Sequence, residues 1–168
     1  GWRFVNPRMP KDWTISLGET AEEVARCYGV TRGEQHAFAH ESQQRTKRAL
    51  DEDRFRDELV PVEVVTKAGR TVVARDEHPR PETTLEALRG MRPAFVKEGG
   101  TVTAGSSRGI NDGASAALVM SAAAANRLGH KPLARIVATA VAGVAPNVMG
   151  IGPVPATRKV LDRAGLTI

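Results

Sequence analysis

Cys27 is the only cysteine of the chain and so its only possible thiol nucleophile. It falls inside an amphipathic helical pattern, away from the helix N-terminus that activates thiols in many enzymes. We therefore expect a structural or exposed thiol. A single cysteine also excludes an internal disulfide, which is typical of a reducing compartment.

His36 and His40 are separated by one helical turn, which would place two imidazoles on one helix face. The zinc-protease pattern requires glutamate directly after the first histidine, and Ala37 occupies that position. The spacing therefore predicts a solvated helix face, and we assign no metal ligand.

Two glycine-rich stretches could contact a ligand. Residues 150–153 resemble a dinucleotide-binding loop, but Pro153 and Pro155 remove backbone donors that such a loop needs, so we expect a rigid turn. Residues 105–113 combine three glycines, two serines and an Asn-Asp pair. Ligand contact and simple turn chemistry both remain open for this loop.

Helices and one hairpin are expected in the first half of the chain. Capping patterns at Thr20 and Thr31 predict a helix that ends before Gly29 and a longer helix that reaches Leu50. A third pattern, at Thr84, predicts a short helix. Two β-branched runs predict a hairpin, at residues 60–66 and 71–75.

The second half alternates apolar runs with glycine loops, which predicts a layered α/β unit. Helices are expected at 122–128 and 155–164. Buried strands are expected at 101–104, 114–121 and 133–143, although the alanine-rich middle run could equally be helical. Two short helices cannot cover both faces of such a sheet, so we expect something outside the chain to complete it.

The composition describes a globular chain of one domain or two small ones: 168 residues, 41% hydrophobic and 26% charged. The net charge of +5 permits an anionic ligand, but no Lys/Arg block points to nucleic acid. No apolar run approaches the roughly 20 residues of a membrane span, and the first residues lack a signal-peptide pattern. We expect a cytoplasmic protein that binds neither membrane nor nucleic acid.

Successive segments of the sequence resemble the thiolase family. The stretch GGTVTAGSSRGINDGASAALVMS carries the strongest likeness, and similar segments cover essentially the whole chain. They include GETAEEVARCYGVTRGEQHAFAHESQQR and ARIVATAVAGVAPNVMGIGPVPATRKVLDRAGL. GWRFVNPRM and RDEHPRP look most like the thiolases that act on 3-oxoadipyl-CoA (β-ketoadipyl-CoA) in aromatic catabolism.

This resemblance implies an α/β fold, with an α+β loop domain that contains a hairpin, followed by an incomplete layered α/β core. Residues 1–17 would be a linker from the N-terminal core, 18–100 the loop domain that covers coenzyme A (CoA), and 101–168 part of the core. The likeness is to the middle portion of a thiolase.

The implied activity is that of a CoA-dependent acyltransferase, which would cleave 3-oxoadipyl-CoA or a similar 3-oxoacyl-CoA with CoA to give acetyl-CoA. CoA would be a substrate, and no tightly bound cofactor is implied. The family's catalytic cysteine, histidine and second cysteine match no position here, so we assign no catalytic residue and expect the isolated chain to be inactive. The alternative is a non-enzymatic remnant or a CoA-binding or interaction module.

By the same resemblance, seven positions would contact CoA or its acyl group: Leu17, Arg80, Phe95, Ala104, Ser106, Arg108 and Met149. Arg108 departs from the family, which has a small serine there, so its guanidinium must pair with a CoA phosphate or obstruct the pantetheine arm. The expected partners are CoA and acyl-CoA, together with a second copy of the chain or the missing parts of its parent.

Overall fold

A computed structural model describes residues 5–111 and 114–168. The chain divides into two compact units: one is Ala21–Gly109, and the other combines the residues up to Thr20 with those from Ile110 onward. Five helices and two strands are present in the described ranges: α1 Leu17–Tyr28, α2 Arg32–Asp51, β1 Val62–Thr66, β2 Gly69–Val73, α3 Leu85–Arg89, α4 Ala122–Leu128 and α5 Pro153–Ala164. No helix in these ranges is both long and apolar enough to span a bilayer.

The start of α1 differs from the prediction. Ser16, not Thr20, caps the helix: the Ser16 amide donates to the Glu19 carboxylate at 2.8 Å, and the Glu19 amide donates to Ser16 Oγ at 3.3 Å. Both serine and threonine fit the capping pattern, and the earlier site adds a helical turn. Thr20 is buried instead, and its hydroxyl donates to the Leu17 carbonyl at 2.7 Å.

The caps of α2 and α3 are as predicted. Thr31 accepts the Glu34 amide with its side chain, while the Glu34 carboxylate accepts the Thr31 amide, which completes a capping box. Thr84 accepts the Ala87 amide at 3.1 Å at the start of α3. These contacts satisfy backbone donors that a helix N-terminus otherwise leaves without partners.

The predicted hairpin is also present, although its second strand begins at Gly69, two residues earlier than predicted, because the turn takes only residues 67 and 68. Strands β1 and β2 pair antiparallel with Val62 opposite Val73 and Thr66 opposite Gly69. Gly69 has a φ of +126°, which a residue with a side chain rarely adopts. All ten strand residues are exposed, so the hairpin projects from its unit without a covering layer.

The three predicted buried strands are not formed by the described residues. Thr103 makes one isolated bridge to Pro93, and residues 114–121 and 133–143 carry no regular hydrogen-bonded structure. Leu118 is 79% exposed and Val141 82% exposed. A strand exists only through pairing with a neighbour, and the described residues supply no neighbour for these segments.

Side chains of α5 bind the backbone of residues 133–143. Lys159 Nζ donates to the Val141 carbonyl at 3.3 Å, and Arg163 Nη1 donates to the Thr139 carbonyl at 2.6 Å. In a paired strand, carbonyl groups accept hydrogen bonds from backbone N–H groups. Here two cationic side chains provide the donors. The helix itself is closed by Gly165 at a φ of +66°, as predicted.

The core of the unit Ala21–Gly109 is small and partly polar. Leu88 of α3 and Thr103 have no exposed surface, and Ala25 of α1 and Val102 are also buried. His36 of α2 is only 2% exposed. This core fixes the path of the chain on either side of Thr103, where several of the predicted CoA-contacting residues lie.

Candidate functional site

Arg80 lies on an exposed loop between β2 and α3, and its guanidinium turns back onto that loop. Arg80 Nη1 donates to three consecutive carbonyls, those of Glu77 at 2.7 Å, His78 at 3.1 Å and Pro79 at 3.1 Å. The bonds hold the guanidinium against the loop backbone. The loop thereby presents a fixed positive charge at the surface, which suits an anionic ligand.

The same loop is attached to α2. The Arg80 amide donates to Gln43 Oε1 at 2.9 Å, Gln44 Nε2 donates to the Pro81 carbonyl at 3.4 Å, and His40 Nδ1 lies 3.1 Å from the Thr83 carbonyl. Gln43 and Gln44 carry no signal in the sequence that would identify them, since glutamine on a polar helix face is ordinary, and His40 stood out only through its spacing from His36. Their role is visible only in three dimensions.

Ser106 and Ser107 shape the turn that follows Thr103. The Thr103 amide donates to Ser106 Oγ at 3.0 Å, and the Thr103 carbonyl accepts both serine hydroxyls, at 3.3 Å and 2.8 Å. Residues Ala104–Ser106 form a 3-10 turn in which Ala104 is exposed. The hydroxyl of Ser106 therefore already has partners within the turn, whereas Ala104 presents its methyl group to the surface.

Arg108 lies next to a contact that joins two loops of this unit. The Gly109 amide donates to His78 Nε2 at 3.5 Å, so the loop after Ser107 is tied to the loop that carries Arg80. Arg108 Nη1 donates to the Gly109 carbonyl at 3.3 Å, and its side chain is exposed. Arg80 and Arg108 thus stand on loops that one hydrogen bond connects.

Phe95 is the large apolar residue of the predicted set in this unit. Its side chain is 43% exposed, and the neighbouring Ala94 amide donates to the Val102 carbonyl at 2.9 Å. The backbone around Phe95 is thus paired, while part of the ring remains available for contact with a ligand. Leu17 and Met149 belong to the other unit, where they are 62% and 50% exposed.

His36 corrects the prediction of a solvated helix face. The ring is buried, and its Nε2 lies 3.4 Å from Thr103 Oγ1. Burial lowers the pKa of His36, and the positive charges of Arg32 and Arg89 lower it further. Arg32 also donates to the carbonyls of Arg89 and Met91. His36 is therefore a neutral core residue that joins α2 to the turn after Thr103.

Glu22 is a further residue that the sequence did not identify. Its carboxylate accepts the amides of Thr101 and Val102 at 2.9 Å and the Thr101 hydroxyl at 2.8 Å. Gln35 Nε2 donates to the same hydroxyl at 2.9 Å. The Glu22 carboxylate thus attaches α1 to Thr101 and Val102, which lead to Thr103.

Other candidate chemistry is sparse. Cys27 is exposed on α1, as expected. In the ranges 5–111 and 114–168, no three His, Cys, Asp or Glu side chains are gathered in a way that could hold a metal ion. Residues 150–153 form a turn, as expected: a 3-10 turn, Pro146–Ile151, ends there and α5 begins at Pro153, two residues earlier than predicted. Within the loop at 105–113, positions 112 and 113 lie outside the described residues.

Comparison with known proteins defines the family. The model described as "Thiolase, N-terminal domain" matches residues 10–123, and "Thiolase, C-terminal domain" matches residues 130–168. The whole chain is 51% identical to the beta-ketoadipyl-CoA thiolase of Pseudomonas aeruginosa and 51% identical to the 3-oxoadipyl-CoA/3-oxo-5,6-dehydrosuberyl-CoA thiolase of Escherichia coli. It spans 42% of the length of each.

Solved structures support the same assignment. The acetyl-CoA acetyltransferase of Bacillus anthracis superposes with a TM-score of 0.85 at 42% identity, over 92% of this chain and 39% of the other. Human mitochondrial 3-ketoacyl-CoA thiolase gives 0.76 at 40% identity, over 95% of this chain and 40% of the other. The chain belongs to the thiolase family. The predicted thiolase-like α/β class is confirmed, and this chain holds part of that fold.

Proposed function

We propose that this chain is the middle part of a CoA-dependent acyltransferase that cleaves 3-oxoadipyl-CoA, or a similar 3-oxoacyl-CoA, with CoA to give acetyl-CoA. The observation that carries the proposal is the 51% identity, over the whole chain, to relatives named for that substrate. In this proposal residues 18–100 are the loop domain that covers CoA, and most of them lie in the unit Ala21–Gly109.

The arrangement of the loops supports the binding of a polyanion. CoA carries phosphate groups at one end and a long, uncharged arm at the other. Arg80 and Arg108 are exposed on two connected loops, and arginine is well suited to pair with phosphate. In this proposal Arg108 pairs with phosphate, while Ala104 and Phe95 offer apolar contacts to the uncharged arm.

The acyl transfer would be carried out by the family's catalytic cysteines and histidine, which match no position of this chain. The resemblance gives Cys27 no nucleophile motif, and it lies exposed on α1. The expected result for the 168-residue chain is binding of CoA without cleavage of acetoacetyl-CoA. Calorimetry measures the first and an absorbance assay the second. Turnover that disappears in Cys27→Ala would refute the proposal. A 168-residue chain without substitutions that has no affinity for CoA would also refute it.

The exposed apolar segments support a partner for the second unit. Leu118 and Val141, which lie in residues 114–121 and 133–143, are largely exposed. Exposure of apolar surface to water costs a free energy of about 25 cal/mol per Å². We propose that these segments pair either with further parts of the parent thiolase or with a second copy of the chain. Light scattering on the pure chain should show dimers or larger species, and a strictly monomeric chain would contradict pairing between copies.

A further inference from the structure

Three side chains on one face of α2 hold the backbone of the Arg80 loop, and we refer to His40, Gln43 and Gln44 as the clasp. Their spacing of three and four residues places them along one stripe of the helix. They contact Thr83, Arg80 and Pro81, in that order, at 3.1, 2.9 and 3.4 Å. Every contact is to a backbone atom of the loop.

Arg80 is the residue that the clasp fixes most directly. Gln43 holds its amide, and the three carbonyls of residues 77–79 hold its Nη1. A guanidinium has five N–H donors, of which Nη1 carries two. The donors on Nε and Nη2 have no partner among residues 5–111 and 114–168, so one edge of the guanidinium is ready to bind an anion.

We infer that Gln43 is a positioning residue for Arg80 and that the clasp sets the affinity for the phosphate-bearing end of CoA. This inference rests on the proposed function, which makes CoA the ligand. Gln43 does not touch the ligand in this scheme. It acts by removing conformations of the loop in which the guanidinium would have to be reorganised before it could pair with phosphate.

The loss of a neutral hydrogen bond that preorganises a binding group corresponds to about a threefold to tenfold change in affinity. We therefore expect Gln43→Leu, which keeps the side-chain volume but loses the acceptor, to weaken CoA binding about threefold to tenfold. Binding of pantetheine, which lacks the phosphate groups, should not change. A general loss of folding would lower the binding of both ligands together.

Gln35→Leu is the matched control, because it makes the same change on the same helix. Gln35 Nε2 donates to Thr101 Oγ1 at 2.9 Å and does not contact the Arg80 loop. The double variant Arg80→Ala with Gln43→Leu tests the coupling, since it should bind CoA no more weakly than Arg80→Ala alone. Gln43→Glu keeps an acceptor and should preserve the protection of the Arg80 amide from hydrogen exchange, which Gln43→Leu should lose.

Calorimetry on the full 168-residue chain, with CoA and with pantetheine, separates the outcomes. A selective loss of CoA affinity in Gln43→Leu, absent in Gln35→Leu and absent when Arg80 is alanine, supports the inference. Equal CoA affinity in the two leucine variants overturns the inference and leaves the proposed function standing, as does an equal loss for both ligands. If the 168-residue chain without substitutions binds no CoA, both the inference and the proposed function are overturned.

Discussion

Replacement of Glu22 by alanine tests whether one carboxylate holds the segment that enters the candidate site. In the folded unit this carboxylate accepts two backbone amides and one hydroxyl, all at 2.8 to 2.9 Å. Val102, which supplies one of those amides, is 6% exposed. Removal of the acceptor leaves that N–H without a partner in a place where water has little access.

The size of the effect follows from these contacts. A hydrogen bond to a charged group contributes about 1.5–3 kcal/mol, and a buried donor without a partner costs about 1–3 kcal/mol. Thr101 is half-buried, so water can partly replace the lost acceptor there. We expect Glu22→Ala to lower the free energy of unfolding of the unit by about 3 kcal/mol. Glu22→Gln keeps one oxygen acceptor and should cost about 1 kcal/mol.

Glu23→Ala provides the control on the neighbouring residue. The Glu23 carboxylate pairs with Arg26 at 2.5 Å on the surface of α1, and such exposed pairs contribute little to stability. Urea unfolding followed by circular dichroism gives the stability, and hydrogen exchange at the Val102 amide reports on the local anchor. If Glu22→Ala unfolds at the same urea concentration as Glu23→Ala, with the Val102 amide still protected, the anchoring role is wrong.

Two further predictions concern the core. Because the pKa of His36 is lowered, the unfolded chain binds a proton near pH 6.5 that the folded chain does not, so stability should fall as the pH drops below about 6.5. Urea midpoints between pH 7.5 and 5 should therefore decline more steeply for the parent than for His36→Gln, and equal slopes would contradict this. Gly105→Ala should destabilise by about 1–3 kcal/mol, because the new Cβ would meet Leu88 and lie 2.8 Å from Met91 Sδ. Gly33→Ala, with only Thr31 Oγ1 within 4 Å at 3.8 Å, should stabilise by up to about 1 kcal/mol. The same sign of effect for both variants would refute close packing of Leu88 and Met91 against Gly105.

Features that depend on a few neighbouring residues could be predicted from the sequence. The caps at Thr31 and Thr84 and the glycine at the end of α5 each follow from an interaction within about four residues along the chain. The hairpin follows from two β-branched runs that a short turn connects. The predicted start of α1 was wrong because two adjacent capping patterns, at Ser16 and Thr20, compete. The choice between them depends on how the first turn packs. The periodic pattern alone does not contain that information.

Features that depend on distant residues could not be predicted. The segment at residues 133–143 has the composition of a strand, but a strand needs a partner, and none is supplied by the described residues. His36 lies on a polar helix, and its burial depends on Thr103, 67 residues away. Arg80 and Arg108 were predicted by resemblance alone. Whether either contacts CoA stays a prediction, while the attachment of their loops became visible only in the structure.

The clasp contacts the backbone of the loop and not its side chains. Gln43 and Gln44 contact an amide and a carbonyl of the main chain, and His40 contacts a second carbonyl. Substitution of the side chains at Thr83 or Glu82 would therefore leave the hold on the backbone in place. For protein engineering, the side chains of this loop can therefore be varied while α2, which holds the loop backbone, is left unchanged.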